Sequence, residues 1–329
     1  MKKINTIILG LGNIGLNYDI NNNSNNIFFT HCKSLQKNKS FKVLGGIDNS
    51  NVQGNKFKKK YRLKFFKSIN SFIKFNKEKI DLAIIATPTN SRLEDIKNIS
   101  KLNPKVILAE KPLSYKIADS KKIFDLCKRK KIRLFINYPR ISDISILEIK
   151  KKINKREFKM PIEGVATYNN GLYNNASHLI SILVFWFGDI KKIKIIDCIG
   201  KKNKNDYQIS FLINFKKIKI IFLANNKKTY SNLDLQLYFR NGKLNYLEEG
   251  RKVFWQRVVN DRLFLGFKTL STKREFIKNR MNIYQKNVYK NLSNFFYHKK
   301  YNLVSFDHNI KIDTILNNIV IYAKNKKDY

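Results

Sequence analysis

Residues 4–15 are Ile4-Asn5-Thr6-Ile7-Ile8-Leu9-Gly10-Leu11-Gly12-Asn13-Ile14-Gly15, an apolar run followed by glycines at G-x-G-x-x-G spacing. The run predicts a buried strand, and the spacing suits a turn into a helix whose backbone approaches a diphosphate closely. Gly10 would make the tight turn, Gly12 would leave room for the phosphates, and Gly15 would let the helix pack on the strand. Free N–H groups at the helix start favour an anion there. The stretch therefore predicts a dinucleotide site that includes Asn13 and Ile14, with a glycine-rich turn that binds nothing as the alternative.

The composition is that of a globular protein of two ordinary domains. The chain has 329 residues, of which 43% are hydrophobic and 13% aromatic, and this excludes a disordered chain. Cys32, Cys127 and Cys198 lack the spacing of metal ligands, so we expect reduced thiols and no metal site. The longest apolar run, Leu179 to Phe187, is far shorter than the roughly 20 residues that span a bilayer. These features predict a soluble, cytoplasmic protein without a membrane segment.

The net charge of +42 raises the alternative of a protein that binds nucleic acid or another polyanion. The excess lysine is spread along the whole chain, and lysine, asparagine and isoleucine share A/T-rich codons, so a biased genome accounts for it without a partner. None of the usual nucleic-acid-binding motifs is present in the sequence. We therefore expect no specific nucleic-acid partner, although a positive field could steer an anionic substrate to the protein.

Residues 1–138 alternate short apolar strands with helical patterns, as in a parallel sheet built from βαβ units. Helices are predicted at Ser68–Phe75, Ser91–Ser100 and Ser114–Lys130, the last with Ser114 as its N-cap. The predicted strands are Ile4–Leu9, Phe41–Ile47, Leu82–Ala86, Val106–Ala109 and Arg133–Ile136. This part is interpreted as a Rossmann-type α/β dinucleotide-binding domain.

Residues 139–329 show a different rhythm, in which consecutive segments alternate with period two. This pattern predicts an α+β domain with a mostly antiparallel open sheet that has one solvated face. The predicted strands are Ile162–Tyr168, Lys192–Cys198, Gln208–Phe215, Lys217–Leu223, Leu233–Phe239 and Lys243–Leu247. The predicted helices are Ile141–Ile153, Ala176–Phe187, Asn282–Phe296 and His308–Ala323. We assign this domain to substrate binding and oligomerisation, and the last two helices could pack back on the first domain.

Asp48 ends the second predicted strand, where a carboxylate can accept hydrogen bonds from the ribose hydroxyls of an adenosine and repel a 2′-phosphate. It follows Gly15 by 48 − 15 = 33 residues, more than the usual roughly 20. A loop insertion at Asn21–Asn26 would account for the excess. Asp48 favours NAD over NADP, and its alternative role is only to cap a turn.

Two further segments follow strands at the sheet edge where parallel sheets bind their ligands. Thr87-Pro88 comes after the third predicted strand, and Glu110-Lys111-Pro112 comes after the fourth. We therefore predict cofactor contacts for Thr87, Pro88, Glu110 and Lys111, and the Lys111 ammonium can also donate a charged hydrogen bond to a substrate oxygen. A Glu-Lys-Pro tripeptide by itself could equally be a surface turn.

His178 opens an otherwise apolar helix at the end of the segment Gly171–His178. A histidine in such a place is commonly structural, with its ring bonded to a backbone carbonyl. Because an imidazole titrates near neutrality, His178 is also a natural acceptor for the proton of a hydroxyl that is being oxidised.

Taken together, these motifs resemble the Gfo/Idh/MocA family of NAD(P)-dependent sugar oxidoreductases, and the resemblance covers essentially the whole chain. They occur in the family's order: the glycine turn, Asp48, Ala86-Thr87-Pro88, Glu110-Lys111-Pro112, Asn137-Tyr138-Pro139-Arg140 and His178. The resemblance implies transfer of hydride between nicotinamide and a sugar carbon. It also implies a homo-oligomer, dimer or tetramer, formed through the outer face of the second domain's sheet.

The resemblance assigns catalytic roles to two residues: Lys111 would orient and polarise the substrate hydroxyl, and His178 would be the general acid/base. Arg140, Asn174 and Asn175 would contact the substrate. Around His178 the family often has the pattern D-x-G-x-H-x-x-D, whereas this chain has Asn174, Ala176 and Ser181 in place of its first aspartate, its glycine and its last aspartate. Arg92 stands where the family usually has histidine.

The segment that contains His178 is similar to a branch associated with bacterial surface-polysaccharide gene clusters, which implies a nucleotide-linked or modified sugar as substrate. The absence of acidic residues around His178 leaves a second function open, a dinucleotide-binding sensor or scaffold without catalysis. The two hypotheses differ in whether a sugar is turned over.

Overall fold

The computed structural model describes residues 2–203, 206–216, 218–225 and 230–325. The chain divides into two compact units, Met1–Ser142 with Asn282–Ile310 and Asp143–Met281 with Lys311–Tyr329. This division differs from the predicted boundary between residues 138 and 139. Asn282–Ile310 belong to the first unit because their aromatic side chains pack in its core, as Phe295 does against Phe135 with ring centroids 5.2 Å apart.

The strands and helices of the described residues are numbered in chain order. The strands are β1 Ile4–Leu9, β2 Phe41–Ile47, β3 Phe65–Phe66, β4 Leu82–Ile85, β5 Val106–Glu110, β6 Arg133–Asn137, β7 Pro161–Tyr168, β8 Lys192–Asn203, β9 Asp206–Phe215, β10 Ile218–Ala224, β11 Leu233–Phe239, β12 Gly242–Leu247, β13 Lys252–Asn260, β14 Lys268–Leu270, β15 Glu275–Phe276 and β16 Val304–Ser305. The helices are α1 His31–Gln36, α2 Asn51–Tyr61, α3 Ile69–Phe75, α4 Arg92–Ser100, α5 Ile117–Arg129, α6 Ile144–Asn154, α7 Ser177–Phe187, α8 Tyr284–His298 and α9 Phe306–Asn325.

The first unit contains a sheet with the order β16-β6-β5-β4-β1-β2-β3, parallel except where β16 pairs with β6. Strand β1 lies between β2 and β4, so the chain winds outward in both directions from it. This confirms the predicted Rossmann-type sheet and places its switch point at the carboxyl end of β1. The central strands are buried on both faces, because the consecutive residues Ile7 and Ile8 of β1 point to opposite faces and both are fully buried.

The glycine turn does not lead into one continuous helix. A first helical turn follows the glycines, and it is closed by the N–H of Leu16, which donates to the Gly12 carbonyl at 2.8 Å. The helical hydrogen bonding then resumes much later, where the N–H groups of His31 and Cys32 donate to the carbonyls of Ile14 and Gly15 at 3.1 and 3.0 Å. In a continuous helix residue 18 would donate to the Ile14 carbonyl, so the bond from His31 shows an insertion of 31 − 18 = 13 residues, longer than the predicted insertion at Asn21–Asn26.

The buried carboxylate of Asp19 holds this inserted segment in place. Its Oδ2 accepts hydrogen bonds from the N–H groups of Phe29 and Thr30 and from the Thr30 hydroxyl, at 2.8, 2.7 and 2.9 Å. These bonds satisfy backbone donors just before α1 begins at His31. The insertion accounts for the long spacing between Gly15 and Asp48.

Helix α5 begins later than predicted, at Ile117 instead of Ser114. The Ser114 hydroxyl is not the N-cap, because it accepts a hydrogen bond from the N–H of Lys116 at 3.1 Å within the preceding turn. The N-cap residue is Lys116, whose side chain makes no capping hydrogen bond.

The second unit contains a sheet with the order β14-β13-β12-β11-β7-β10-β9-β8, to which β15 adds beside β13. Neighbouring strands are antiparallel except β7 and β10, so the prediction of a mostly antiparallel sheet is confirmed. Along β11 the buried positions Leu233, Leu235 and Leu237 alternate with more exposed ones. Lys217, the predicted start of a strand, lies outside the described residues, and the strand there begins at Ile218.

Helices α6 and α7 pack together in this second unit. The Trp186 indole donates to the Ile146 carbonyl at 3.0 Å, and the Lys150 ammonium donates to the Trp186 carbonyl at 2.8 Å. Helix α7 is apolar and nearly completely buried, which fixes the position of its first turn. In the described part of the chain, no helix is both long and apolar enough to cross a membrane.

Candidate functional site

The three glycines of the turn differ in what surrounds them. Gly10 has a φ of +97°, and a Cβ there would lie 2.6 Å from the carbonyl carbon of Ala86. A Cβ on Gly15 would overlap the Gly10 carbonyl oxygen. A Cβ on Gly12 would meet no atom within 4 Å. Two glycines are thus required by packing, while Gly12 borders open space at the carboxyl end of β1, where a diphosphate would approach the backbone.

Asn13 and Ile14, the other predicted contacts of the turn, lie between these glycines. The Asn13 side chain is exposed and that of Ile14 is half-buried. Their carbonyls accept hydrogen bonds from the N–H groups of Tyr18 and His31, so the backbone here is fixed by both ends of the interrupted helix.

Asp48 lies beside the glycine turn at the end of β2. Its Oδ2 accepts a hydrogen bond from the Leu11 N–H at 2.7 Å, and its Oδ1 accepts one from the Ser50 N–H at 2.9 Å. The carboxylate therefore caps a turn, as the alternative reading supposed, and also ties that turn to the glycines. A carboxylate can accept about four hydrogen bonds, so Asp48 retains capacity for ribose hydroxyls.

The loop after β4 is fastened to helix α4. The Thr87 hydroxyl donates to Asp95 Oδ2 at 2.6 Å, while Pro88 is exposed. The Arg92 guanidinium donates from Nη2 to the Thr87 carbonyl at 2.5 Å and from Nη1 to the Pro112 carbonyl. Arg92 thus joins this loop to the one that carries Lys111, a contact that could not be predicted from the residue type alone.

Glu110 ends β5 and is 8% exposed. Its Oε1 accepts hydrogen bonds from His31 Nε2 at 3.0 Å and Asn137 Nδ2 at 2.5 Å, and its Oε2 accepts the Lys111 N–H at 3.3 Å. Burial alone would raise the pKa of Glu110, but the hydrogen bonds from His31 and Asn137 and the charge of Arg92 together lower it. The buried carboxylate is therefore ionised at neutral pH.

The same network fixes the tautomer of His31. Gln285 accepts from the Asn137 amide at 3.2 Å, so its own amide nitrogen faces His31 Nδ1, 2.9 Å away. The Tyr289 hydroxyl also lies 2.8 Å from Nδ1. Because Nδ1 accepts, the ring proton resides on Nε2 and points to Glu110. Sequence reasoning missed these partners because α1 and α8 are remote from Glu110 in the chain.

Lys111 is half-buried and directly follows Glu110. The peptide bond between Lys111 and Pro112 is cis. Arg140, a predicted substrate contact, lies in the 3-10 turn Pro139–Ser142 of the same unit and is also half-buried.

The remaining predicted residues belong to the second unit, where a π-helical turn, Leu172–Ala176, runs into α7. Asn174 is exposed and Asn175 half-exposed, whereas His178 in the first turn of α7 is 7% exposed. The structure thus brings Asn174, Asn175 and His178 into one continuous helical segment.

Asp206 at the start of β9 fixes that segment. Its carboxylate accepts hydrogen bonds from the N–H groups of Tyr173 at 2.8 Å and Asn174 at 3.1 Å. Gly171, with a φ of +100°, lies so close that a Cβ would overlap the Asp206 carboxylate. An acidic group is therefore present beside this turn although the chain lacks the acidic residues near His178 in sequence. The position of Asp206 beside this turn could not be predicted from local sequence spacing, because β9 comes later in the chain.

Over the described ranges, no group of three His, Cys, Asp or Glu side chains is arranged to hold a metal ion. The glycine turn, Asp48 and the loops after β4 and β5 all follow the carboxyl ends of the parallel strands, which is the edge at which sheets of this kind bind their ligands.

Comparison with known proteins gives a family and a fold. Residues 4–138 match the profile of the Gfo/Idh/MocA oxidoreductase family, described as an NAD-binding Rossmann fold. No curated protein matches the sequence.

Solved structures match over nearly the whole chain. UDP-N-acetylglucosamine 3-dehydrogenase GnnA from Acidithiobacillus ferrooxidans is 8% identical, with 99% of each chain covered and a TM-score of 0.78. WlbA dehydrogenase from Bordetella pertussis, solved with NADH and UDP-GlcNAcA, is 12% identical, with 99% of this chain and 98% of that one covered and a TM-score of 0.76. An oxidoreductase from Agrobacterium radiobacter, solved with NAD⁺, L-tartaric acid and magnesium, is 11% identical, with 99% and 97% covered and a TM-score of 0.75. At these identities the similarity shows the fold.

Proposed function

Because residues 4–138 match the Gfo/Idh/MocA oxidoreductase family model, we propose that the chain is a member of that family and that it transfers hydride between nicotinamide and a hydroxyl-bearing or keto carbon of a sugar or nucleotide sugar. The open space at Gly12, framed by the tightly packed Gly10 and Gly15, is the observation that carries the proposal. A bound nicotinamide would accept or donate the hydride. The protein's own residues would bind the dinucleotide, orient the substrate and move a proton.

Lys111 and His178 are the proposed catalytic residues. Oxidation of a hydroxyl releases a proton along with the hydride, so a neutral imidazole at His178 would accept that proton in the forward direction and return it in reverse. The Lys111 ammonium would donate a hydrogen bond to a substrate oxygen and stabilise the negative charge that develops on it. We propose that Arg140, Asn174 and Asn175 contact the sugar.

A nucleotide sugar is the proposed substrate class, probed most simply with UDP-linked sugars. WlbA was solved with UDP-GlcNAcA, and GnnA is named for its action on UDP-N-acetylglucosamine. The net charge of +42 on this chain would favour capture of a diphosphate-bearing substrate over a neutral sugar. The proposed setting is the synthesis of sugars for surface polysaccharide.

NAD is the proposed cofactor in preference to NADP, because the Asp48 carboxylate lies next to the glycine turn and would repel a 2′-phosphate. We expect NADH to bind at least about tenfold more tightly than NADPH. In Asp48→Asn, which removes the charge but retains an acceptor for Leu11, we expect that ratio to fall toward unity. Fluorescence titration of both dinucleotides measures it.

Asp119→Asn on α5 is the matched control, since it removes a partly exposed carboxylate that forms an ion pair with Lys122 at the surface. Its NADH-to-NADPH ratio should equal that of the wild type. Equal or tighter binding of NADPH by the wild type would contradict the cofactor assignment.

A homo-oligomer, dimer or tetramer, is also proposed. The hairpin between β13 and β14 carries Leu263, Phe264, Leu265 and Phe267 at its tip, with Leu263 87% and Leu265 90% exposed. So many adjacent apolar side chains are rarely left in water by a monomer. A second copy that covers this tip, alongside the solvated face of the sheet, would remove them from solvent.

We expect the double substitution Leu263→Asp and Leu265→Asp to lower the solution mass measured by light scattering, because carboxylates at a buried contact are unpaired. Val52→Asp, at an apolar position of α2 that is 62% exposed, is the control and should leave the mass unchanged. A wild-type protein that is monomeric at all concentrations would overturn the assignment.

A further inference from the structure

Arg92 is the first residue of α4 and is buried, with 2% of its surface exposed. Its guanidinium donates to two carbonyls that belong to different loops. One is that of Thr87, after β4, and the other is that of Pro112, after β5. Both loops lie at the carboxyl edge of the sheet, and their strands are direct neighbours.

A guanidinium suits this place for a geometric reason. Its nitrogens form a rigid planar fork that can reach two acceptors at once, whereas an ammonium is a single flexible point charge. Burial lowers the pKa of Arg92 to about 10, and the charges of Glu110 and Asp95 oppose that effect, so the group stays cationic at neutral pH. The buried cation is accommodated because the ionised Glu110 lies on the same side of the sheet edge.

The backbone around Lys111 is consequently held on both sides. Before it, Glu110 is fixed by His31 and Asn137. After it, the Pro112 carbonyl is fixed by Arg92. No atom of Arg92 has to touch a ligand for this arrangement to matter, because the guanidinium acts through the backbone of the two loops.

We propose that Arg92 is a positioning residue that locks the loops of Thr87 and Lys111 to each other and so shapes the half of the crevice opposite Asp48, an inference that rests on the proposed dinucleotide-binding function. A dinucleotide crosses the switch point of such a sheet with one nucleoside on each side. The adenosine half depends on the glycine turn and Asp48 beside β1 and β2. The nicotinamide half depends on the loops after β4 and β5, which Arg92 holds.

The test compares binding of NADH with binding of AMP, which occupies only the adenosine half. In Arg92→Ala we expect the NADH affinity to fall about tenfold or more, because the loops lose their preorganisation. The AMP affinity should change by less than about twofold. In Arg92→Lys, which keeps the charge but cannot bridge both carbonyls, the loss should be intermediate. Millimolar guanidinium ion should restore part of the NADH affinity of Arg92→Ala and none in the wild type.

Lys97→Ala is the control on the same helix, since Lys97 is exposed and forms an ion pair with Glu94 at the surface; both affinities should be unchanged. Unchanged NADH affinity in Arg92→Ala would overturn the inference. Parallel loss of NADH and AMP in both Arg92 variants, without rescue, would also overturn it, because Arg92 would then act only in general folding. If the wild-type protein itself bound AMP and NADH no better than background, the proposed function would fail instead, which keeps the two failures distinct.

Discussion

Removal of the imidazole in His178→Ala is expected to lower kcat by about 10²- to 10⁴-fold, the usual contribution of a positioned general acid or base. The NADH affinity should remain within about twofold of the wild type, because the glycine turn and Asp48 belong to the other unit. Steady-state kinetics with the best sugar from a panel of nucleotide sugars measures these quantities.

His298→Ala is the matched control, since His298 is exposed at the end of α8. Lys111→Ala should lose turnover to a similar extent, and Lys116→Ala, which removes an exposed lysine nearby, should not. Full turnover in both His178→Ala and Lys111→Ala would contradict the catalytic roles. Tight NADH binding without turnover of any sugar in the panel would favour the dinucleotide-binding sensor or scaffold instead.

The parallel sheet could be predicted from sequence because its signals are local. Strands β1 and β2 have the predicted limits, Ile4–Leu9 and Phe41–Ile47, because the strands of a parallel sheet are mostly apolar and this signal is present in the local sequence. Strands β3 and β16 have only two residues each and produce no readable period. The length of the insertion was underestimated because its limits are set by Asp19, whose bonds to Phe29 and Thr30 leave no composition signal.

The candidate site was predictable only where a residue's role follows from its own strand end. Asp48, Thr87 and Lys111 could be located in this way, because parallel strands deliver their carboxyl ends to one edge. The residues that hold these three side chains and their loops in place could not be predicted from the sequence. His31, Gln285 and Tyr289 reach Glu110 from helices that only the tertiary fold brings together. Asp206 reaches the turn before His178 from a strand in the same way.

Substitution of the glycines is expected to separate ligand binding from folding. In Gly12→Ala the added methyl group meets no protein atom, so the free energy of unfolding should change by less than about 1 kcal/mol. The same methyl group would occupy the space through which a diphosphate reaches the backbone, and we expect the NADH affinity to fall by about 100-fold or more. In Gly15→Ala the methyl group overlaps the Gly10 carbonyl, so we expect a loss of about 1–3 kcal/mol in unfolding free energy.

Urea denaturation and NADH titration of both variants distinguish a turn that binds a ligand from an empty turn and from a purely structural one. An empty turn would make Gly12→Ala silent in both measurements, because nothing would need the space beside it. A purely structural role for all three glycines would make both variants unstable to a similar degree. Only a ligand that approaches the backbone at Gly12 predicts a variant that folds as the wild type does and fails to bind, and this result would tie the G-x-G-x-x-G sequence to a dinucleotide by physical contact.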